Sequence, residues 1–543
     1  LHDNKFMHSY PHDWRSKTPV IFRSTEQWFV GVDSAMGDGT SLRDKAMAAI
    51  QADSEESVKF VPEWGRNRMR GMLESRPDWC ISRQRSWGLP IPAFIYGDGS
   101  ALMTEASVRA VAKLFREEGS DAWFTKEPAE ILKHYNPDDD PAAPDGLDLR
   151  LLKKGGDILD VWFESGSSWN AVMRERLGDE AFPVELYLEG SDQHRGWFQL
   201  SMLPAIGVMG RPPYKTLLTH GFMNDKDGKK LSKSSGHTIE NLFDRYGADV
   251  LRWWVSSLPY EGDVKVDDEF FNLAGESYRK IRNTVRFLLS NLQDFACGAD
   301  CADLKSMDAK CIDAWALSEF DKVSTEVQDA FNTYNFRRAH AAIYNFCSDT
   351  MSSVYLAATK DRLYCDAADS PRRRRTQTVM WDIADGLCRL IAPIMCHTAD
   401  EAWRALRGID KDDPSCVHFE EYLPPFGIEA DAGWSKVMEA RDAGLMVLEK
   451  AKADGIDNPL DAGLVFPDPD GVLAGFDAVD LADLCGVSRA AVQSGADAGA
   501  SEVVVQDLRA EARCERSRKR DGTVKERGDG GLLTDRDAAV VGV

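Results

Sequence analysis

Two short segments hold the residue types and spacing for nucleotide chemistry on a small amine-bearing substrate: LYLEGSDQHRGWF at Leu186 to Phe198 and GKKLSKSSG at Gly228 to Gly236. The first ends an apolar run in Glu189, Gly190 and a second acid, Asp192, and then opens a predicted helix carrying His194, Arg195 and Trp197. A carboxylate at a strand end, beside a glycine that lets a ligand approach the backbone, can hold a substrate ammonium, with Asp192 and Gln193 adding polar contacts. The second segment sets Lys230 and Lys233 among Ser232, Ser234 and flanking glycines. Lysine is a compact charge on a flexible stem, and a loop following the turn Asp227-Gly228 is expected to be exposed. Two such cations can close on a triphosphate and stabilise the charge that develops as pyrophosphate leaves. Taken alone, a five-residue lysine-serine pattern reads more often as an ordinary basic surface loop.

Upstream, DVWFESG at Asp160 to Gly166 is expected to end another strand with Trp162 and Phe163. Trp162 and Trp197 on adjacent strand ends would wall an apolar pocket suited to a branched aliphatic side chain; either tryptophan by itself reads as core packing.

These residues need elements to position them. From Gly156 the short apolar runs DILDVWF, VELYLEG and YKTLLTHGFMN alternate with helical segments, the pattern of a parallel sheet whose loops gather at one edge. Before it, residues 1–30 suggest the last strands of a domain that begins earlier, and a helical region runs to about residue 75. Pro90 and Pro92 make RPDWCISRQRSWGLPIPAFIY a loop entering an edge strand. Residues 100–155 read as an inserted module ending in the linker-like NPDDDPAAPDG. From about 270 to 425 the periodicity is that of long amphipathic helices, with Pro393 at a helix start or kink. Beyond Pro424 and Pro425 the strand-like GLVFP and SEVVVQDL predict a small mixed domain.

Composition limits what the chain can be. At 543 residues it is too long for one core, and 43% hydrophobic content with 15 Trp and 24 Phe excludes a disordered protein. A net charge of -23 argues against indiscriminate nucleic-acid binding but leaves room for local basic tracks. In SYRKIRNTVRFLLSNL, Arg279, Arg282 and Arg286 share one helix face, opposite Ile281, Val285, Leu288 and Leu289. The run Arg372 to Arg375 and the cluster Arg516 to Arg520 are two further candidates, and each of the three reads equally well as a solvated face. No apolar run approaches the length of a membrane span and no leader pattern is present, so a soluble, cytoplasmic protein is expected. The 11 cysteines lack two-residue spacing and the ten histidines lack paired metal-ligand spacing, so reduced thiols and no metal site are expected. The chain opens on Leu1 in mid-pattern, and an amino-terminal portion is expected to be absent.

LEGSDQHRGWF, LTHGF, KLSKS, DVWFESG and RPDWCISRQRSWG closely resemble the corresponding blocks of the bacterial isoleucyl-tRNA synthetases, which are class I enzymes, and the likeness extends over nearly the whole chain. The resemblance implies an α/β fold: the second half of a Rossmann-like class I catalytic domain, then an α-helical anticodon-binding domain and a small mixed C-terminal domain. It implies divisions at 1–30 (tail of the editing insertion), 31–155 (return to the catalytic core plus a connective module), 156–270 (catalytic half with the KLSKS loop), 271–425 (anticodon-binding helices) and 426–543 (C-terminal domain with a degenerate zinc motif). KLSKS resembles the family's second signature loop, which puts Lys233, with Lys230, Ser232 and Ser234, on ATP phosphates. Glu189, Gly190, Asp192, Gln193, Trp197 and Trp162 match positions that hold isoleucyl-adenylate, and Arg279, Arg282 and Arg286 become tRNA contacts. The activity implied is activation of L-isoleucine with ATP and Mg2+ and its transfer to the isoleucine tRNA, by a cytoplasmic monomer with no membrane partner. GSDQHRGWF favours isoleucine over the alternative valine or leucine enzymes; a non-catalytic tRNA-binding truncation or paralogue is the alternative of another class.

Two departures from the family pattern matter. The first signature, a His-Ile-Gly-His type turn, is nowhere in these 543 residues, so the chain is expected to lack half its ATP site and to be inactive alone. Many bacterial members end in a zinc module with two Cys-x-x-Cys pairs, whereas this tail reads ARCERSRKRDG and then GGLLTDRDAAVV. Only Cys514 remains, with Ser517 where a ligand would be; one thiolate cannot build a structural zinc site, so no zinc is expected there.

Overall fold

Alternating Val, Leu and Tyr side chains make Val184–Gly190 and Tyr214–His220 the two long strands of a three-stranded parallel sheet, completed by Lys59–Val61. The computed structural model in which they are seen describes residues 6–13, 16–51, 57–225, 228, 239–494 and 502–543. Tyr214–His220 is the central strand and is nearly continuously buried, as expected for a parallel strand covered on both faces. Its register sets Leu218 against Val61, Thr219 against Glu189 and His220 against Gly190, so three strand tips finish at one edge.

The sheet belongs to the first of two compact units, Leu1–Phe222. Helices Leu42–Ala49, Trp64–Glu74 and Trp197–Met209 supply the rest of its core, in which Met69, Phe198, Met202, Ile206, Tyr214 and Leu217 are buried. Helix Leu42–Ala49 starts at a capping box in which Ser41 and Asp44 satisfy each other's backbone N–H groups. Trp197–Met209 has no polar face because its residues from Phe198 to Ile206 are almost all buried. A second, smaller core around Phe94, Leu114, Trp123, Ile131 and Leu152 belongs to a module of its own, with helix Glu105–Glu118 over a sheet of Ala101–Leu102, Phe94–Ile95 and Lys153–Lys154.

DVWFESG differs from the strand end expected of it. The strand is only Ile158–Leu159, and Asp160 turns the chain into helix Val161–Gly166 by accepting from the Trp162 N–H at 3.5 Å. Aspartate is a strong helix start, and here it overrides the β preference of the aromatic residues that follow.

The second unit, Met223–Val543, is mostly helical. Helices Ala248–Ser256, Asp268–Ser290, Ile312–Asn332, Phe336–Asn345, Leu356–Cys365, Pro371–Ile391 and Cys396–Arg407 share one apolar core. Pro393 falls between the last two, where a proline cannot continue the first helix. The core continues into helix Trp434–Ala451 and a sheet whose middle strand, Ala462–Asp468, runs parallel to Arg489–Ser494 and antiparallel to Val504–Asp507. A hairpin and helix Asp535–Val541 close the chain. Among the described residues no helix is long and apolar enough to cross a membrane.

Candidate active site

The carboxyl ends of parallel strands are where α/β sheets bind ligands, since the strand-to-helix loops leave backbone groups and side chains free there. Glu189 stands exposed at such an end, and the Gly190 N–H donates to its Oε2 at 3.3 Å. Asp192 is exposed one turn further, with the Gln193 amide donating to its Oδ2 at 3.4 Å.

The single helix expected after Gly190 is divided at Gly196 into a 3-10 turn, Ser191–Arg195, and helix Trp197–Met209. Gln193 causes the division: its Oε1 accepts from the Trp197 N–H at 2.9 Å and so caps the second helix. A side chain at Gly196 would put a Cβ 2.5 Å from that oxygen and 3.3 Å from the Trp162 ring, so glycine here lets Gln193 keep its capping position.

Trp162 and Trp197 come together by close helix approach. Gly166 brings helix Val161–Gly166 so near helix Trp197–Met209 that a Cβ there would lie 2.1 Å from the Leu200 carbonyl oxygen. Trp197 Nε1 donates to the Ser165 carbonyl at 2.9 Å, and its ring stacks on Tyr187 at 4.0 Å and 10°. Trp197 is thereby fixed, half-buried, while Trp162 is 36% exposed beside it. Behind them, buried Asp160 accepts from Trp79 Nε1 at 3.0 Å and pairs with Arg83 at 3.1 Å. The RPDWCISRQRSWG segment is therefore a brace for the tryptophan helix as well as a connection.

Two histidines at this edge were given no role by sequence reasoning. His194 is fully buried between Trp64 and Phe198, at ring distances of 5.8 and 5.3 Å. Its Nδ1 lies 3.0 Å from the Ser191 carbonyl, which assigns that nitrogen the proton and leaves Nε2 an acceptor with no partner. Burial holds its pKa below the ordinary histidine value, so the ring is neutral. His220 is half-buried opposite Gly190, its Nδ1 2.7 Å from the Gly221 carbonyl. The signal for His220 was its place in LTHGF at a second strand end, legible only once the two strands are in register.

The structure thus gathers Glu189, Gly190, Asp192, Gln193, Trp162 and Trp197 at one edge. Lys230, Ser232, Lys233 and Ser234 lie outside the described residues.

The three basic candidates separate sharply. Arg279, Arg282 and Arg286 are exposed on helix Asp268–Ser290, whose other face buries Ile281, Val285 and Leu288. Among the described residues their guanidinium groups have no hydrogen bond or ion pair. In the run Arg372 to Arg375 every side chain is engaged: Arg372 with Asp366 at 2.9 Å, Arg373 with Asp294 at 2.6 Å, Arg374 with the Asp294 carbonyl at 2.7 Å and Arg375 with Asp313 at 2.8 Å. In the third cluster, Arg516 donates to the Cys365 carbonyl at 3.3 Å, buried Lys519 pairs with Asp483 at 2.6 Å and Arg520 with Asp461 at 2.9 Å. The second candidate is an internal brace, and so are Arg516, Lys519 and Arg520 of the third, whereas Arg518 stays exposed.

The family model described as tRNA synthetases class I (I, L, M and V) matches residues 5–267, and that of the anticodon-binding domain of tRNA ligase matches 313–458. The chain is 41% identical over 507 residues to the isoleucine--tRNA ligase of Brevibacillus brevis, covering 90% of this chain and 52% of that protein. It is also 41% identical over 452 residues to the isoleucine--tRNA ligase of Bacillus mycoides, covering 83% and 47%. It spans about half the length of these curated relatives. Among solved structures it matches a Mycobacterium tuberculosis methionyl-tRNA synthetase in complex with methionyl-adenylate, at TM-score 0.49 and 17% identity, over 75% of this chain and 72% of that one. The chain belongs to the class I tRNA synthetases of the isoleucine, leucine, methionine and valine group.

Proposed function

We propose that the chain carries the aminoacyl-adenylate site and the anticodon-facing helices of an isoleucine-tRNA ligase. Glu189 and Gly190 at the tip of a parallel strand carry this proposal, with Trp162 and Trp197 side by side at Gly196 and His220 in register across the sheet. Glu189 holds the substrate ammonium, and the tryptophans wall the aliphatic side chain. The isoleucine carboxylate attacks the α-phosphorus of ATP, pyrophosphate leaves, and the acyl group then passes to a hydroxyl of the terminal tRNA ribose with release of AMP. No protein nucleophile is needed; positioning and charge stabilisation suffice. ATP arrives with Mg2+, and Lys233, with Lys230, Ser232 and Ser234, meets its phosphates. Arg279, Arg282 and Arg286 meet tRNA phosphates. The ligase acts as a monomer in the cytoplasm. Cys514, alone among thiols in that stretch, does not supply a four-cysteine zinc site there.

Isotope exchange between ATP and pyrophosphate in exchange-competent enzyme tests the two roles separately. Glu189→Ala is expected to raise the isoleucine KM, and Lys233→Ala to depress kcat with little change in that KM. Equal, small effects of both substitutions, or exchange driven better by valine than by isoleucine, would contradict the proposal.

A further inference from the structure

Residues 510–543 have little apolar substance to hold them: Cys514, Leu533 and Ala538 are buried together, with Val524 against them. A core of that size does not fold a module unaided, and natural modules of this kind add a cross-brace. The brace here is polar. Cys514 and Ser517 from one turn, and Thr534 and Asp537 from the start of helix Asp535–Val541, converge on the Asp537 carboxylate. The Cys514 thiol donates to Asp537 Oδ2 at 3.0 Å and the Thr534 hydroxyl to the same oxygen at 2.9 Å, while Thr534 Oγ1 accepts from the Asp537 N–H at 3.0 Å. Ser517 Oγ is buried beside that carboxylate without a hydrogen bond of good geometry. Arg536 reaches Asp537 Oδ1 at 3.2 Å and Arg516 at 3.7 Å. Burial opposes the charge, but these donors and Arg536 hold the Asp537 carboxyl below its usual range.

The spacing is that of a four-ligand zinc knuckle, and the chemistry is not. Zinc takes thiolate, imidazole or carboxylate ligands, and donor atoms around a tetrahedral ion stand roughly 3.5 Å apart. This cluster offers one thiol, one carboxylate and two hydroxyls, and both the thiol and the Thr534 hydroxyl sit at hydrogen-bond distance from one oxygen. Among the described residues no group of three or more His, Cys, Asp or Glu is placed to hold a metal. The residues do not fit zinc.

We propose that Asp537 takes the place of a metal as the hub of a hydrogen-bonded knot, which closes the loop from Cys514 to Asp537 and makes this end of the chain fold without metal. The knot also fastens the module to helix Leu356–Cys365: Arg536 pairs with Asp361, Lys519 reaches Asp361 at 3.3 Å, and Arg516 donates to the Cys365 carbonyl. Thr534 and Asp537 additionally serve as the first cap of the final helix, so one pair of side chains starts the helix and holds the loop.

The test uses the whole chain. Metal analysis is expected to find less than about 0.1 zinc per chain, and EDTA to leave the thermal midpoint unchanged. Cys514→Ser keeps a donor to the carboxylate and is expected to leave amide exchange across 514–537 near the wild-type rate, whereas Asp537→Ala speeds it by roughly tenfold or more. A metal–thiolate site behaves in the opposite way, since serine does not replace the thiolate. Stoichiometric zinc lost together with stability on chelation, a Cys514→Ser variant as damaged as Asp537→Ala, or unchanged exchange in Asp537→Ala would each overturn the proposal. If Asp537→Ala does not accumulate, Asp537→Asn, which keeps one acceptor oxygen, is expected to exchange at an intermediate rate; a wild-type rate there overturns it equally.

Discussion

Two arginine-rich helices of the second unit look alike as strings of charge and differ as structures. On Asp268–Ser290, Arg279, Arg282 and Arg286 stand in solvent above an apolar stripe, and nothing among the described residues neutralises them. On Pro371–Ile391, the four arginines that open the helix each find a carboxylate or carbonyl, and Arg375 reaches the fully buried Asp313. Asp313 also accepts from Tyr355 and Thr376 at 2.8 and 2.9 Å, and Arg362, which no solvent touches, lies 3.6 Å away. One set of cations stays exposed and unpaired among the described residues; the other is engaged inside the fold. In a chain of net charge -23 most cations have an acid within reach, so the unpaired ones are the informative ones.

The contrast can be broken most forcefully at Arg375. Arg375→Ala leaves Asp313 short of a partner in a place without water and is expected to cost about 3 kcal/mol in urea unfolding. A cost near zero would mean that the run is surface charge after all.

A smaller effect is expected at His340, which stacks on Trp253 at 3.7 Å and whose burial lowers its pKa to about 4. Because the folded state resists protonation, the unfolded chain binds the extra proton between pH 6.5 and about 4. Stability is therefore whole above 6.5 and falls on acidification, by about 2.5 kcal/mol at pH 4.5 for this group. Subtracting the pH profile of His340→Leu from that of the wild type isolates the contribution; no difference in slope would refute it.

The smallest effect on folding belongs to the free face. Arg279→Ala, Arg282→Ala and Arg286→Ala together are expected to change stability by no more than about 0.5 kcal/mol each. They are expected to lower the slope of log K against log[salt] for tRNA binding by two to three, roughly one phosphate contact per arginine. Unchanged tRNA binding would place the RNA elsewhere.

The same contrast explains what could be read from residues alone. The stripe on Asp268–Ser290 was legible because helical periodicity is local and its arginines pair with no side chain among the described residues. The Arg372 to Arg375 run was not, because its acids at 294, 313 and 366 lie in other elements. At the strand tips, Glu189 and Gly190 were legible as a strand ending in an acid and a glycine. Gln193 was not legible as a helix cap, because that use depends on the break at Gly196, and His194 reads as an ordinary polar residue until Trp64 and Phe198 enclose it. The helix at Trp162 begins at Asp160, a cap residue in a segment that was read as a strand end.

The amino-acid preference of the strand-tip site is the most direct measure of the account. Calorimetric titration of exchange-competent enzyme with isoleucyl, valyl and leucyl sulfamoyl adenosine, non-hydrolysable stand-ins for the adenylates, compares three side chains on one scaffold. The isoleucyl compound is expected to bind tightest, by at least about fourfold over the valyl one, the worth of a single buried methylene, and Glu189→Ala is expected to weaken all three together. Equal affinity for the three, or affinity untouched by the loss of Glu189, would contradict the assignment of this edge as an isoleucine site.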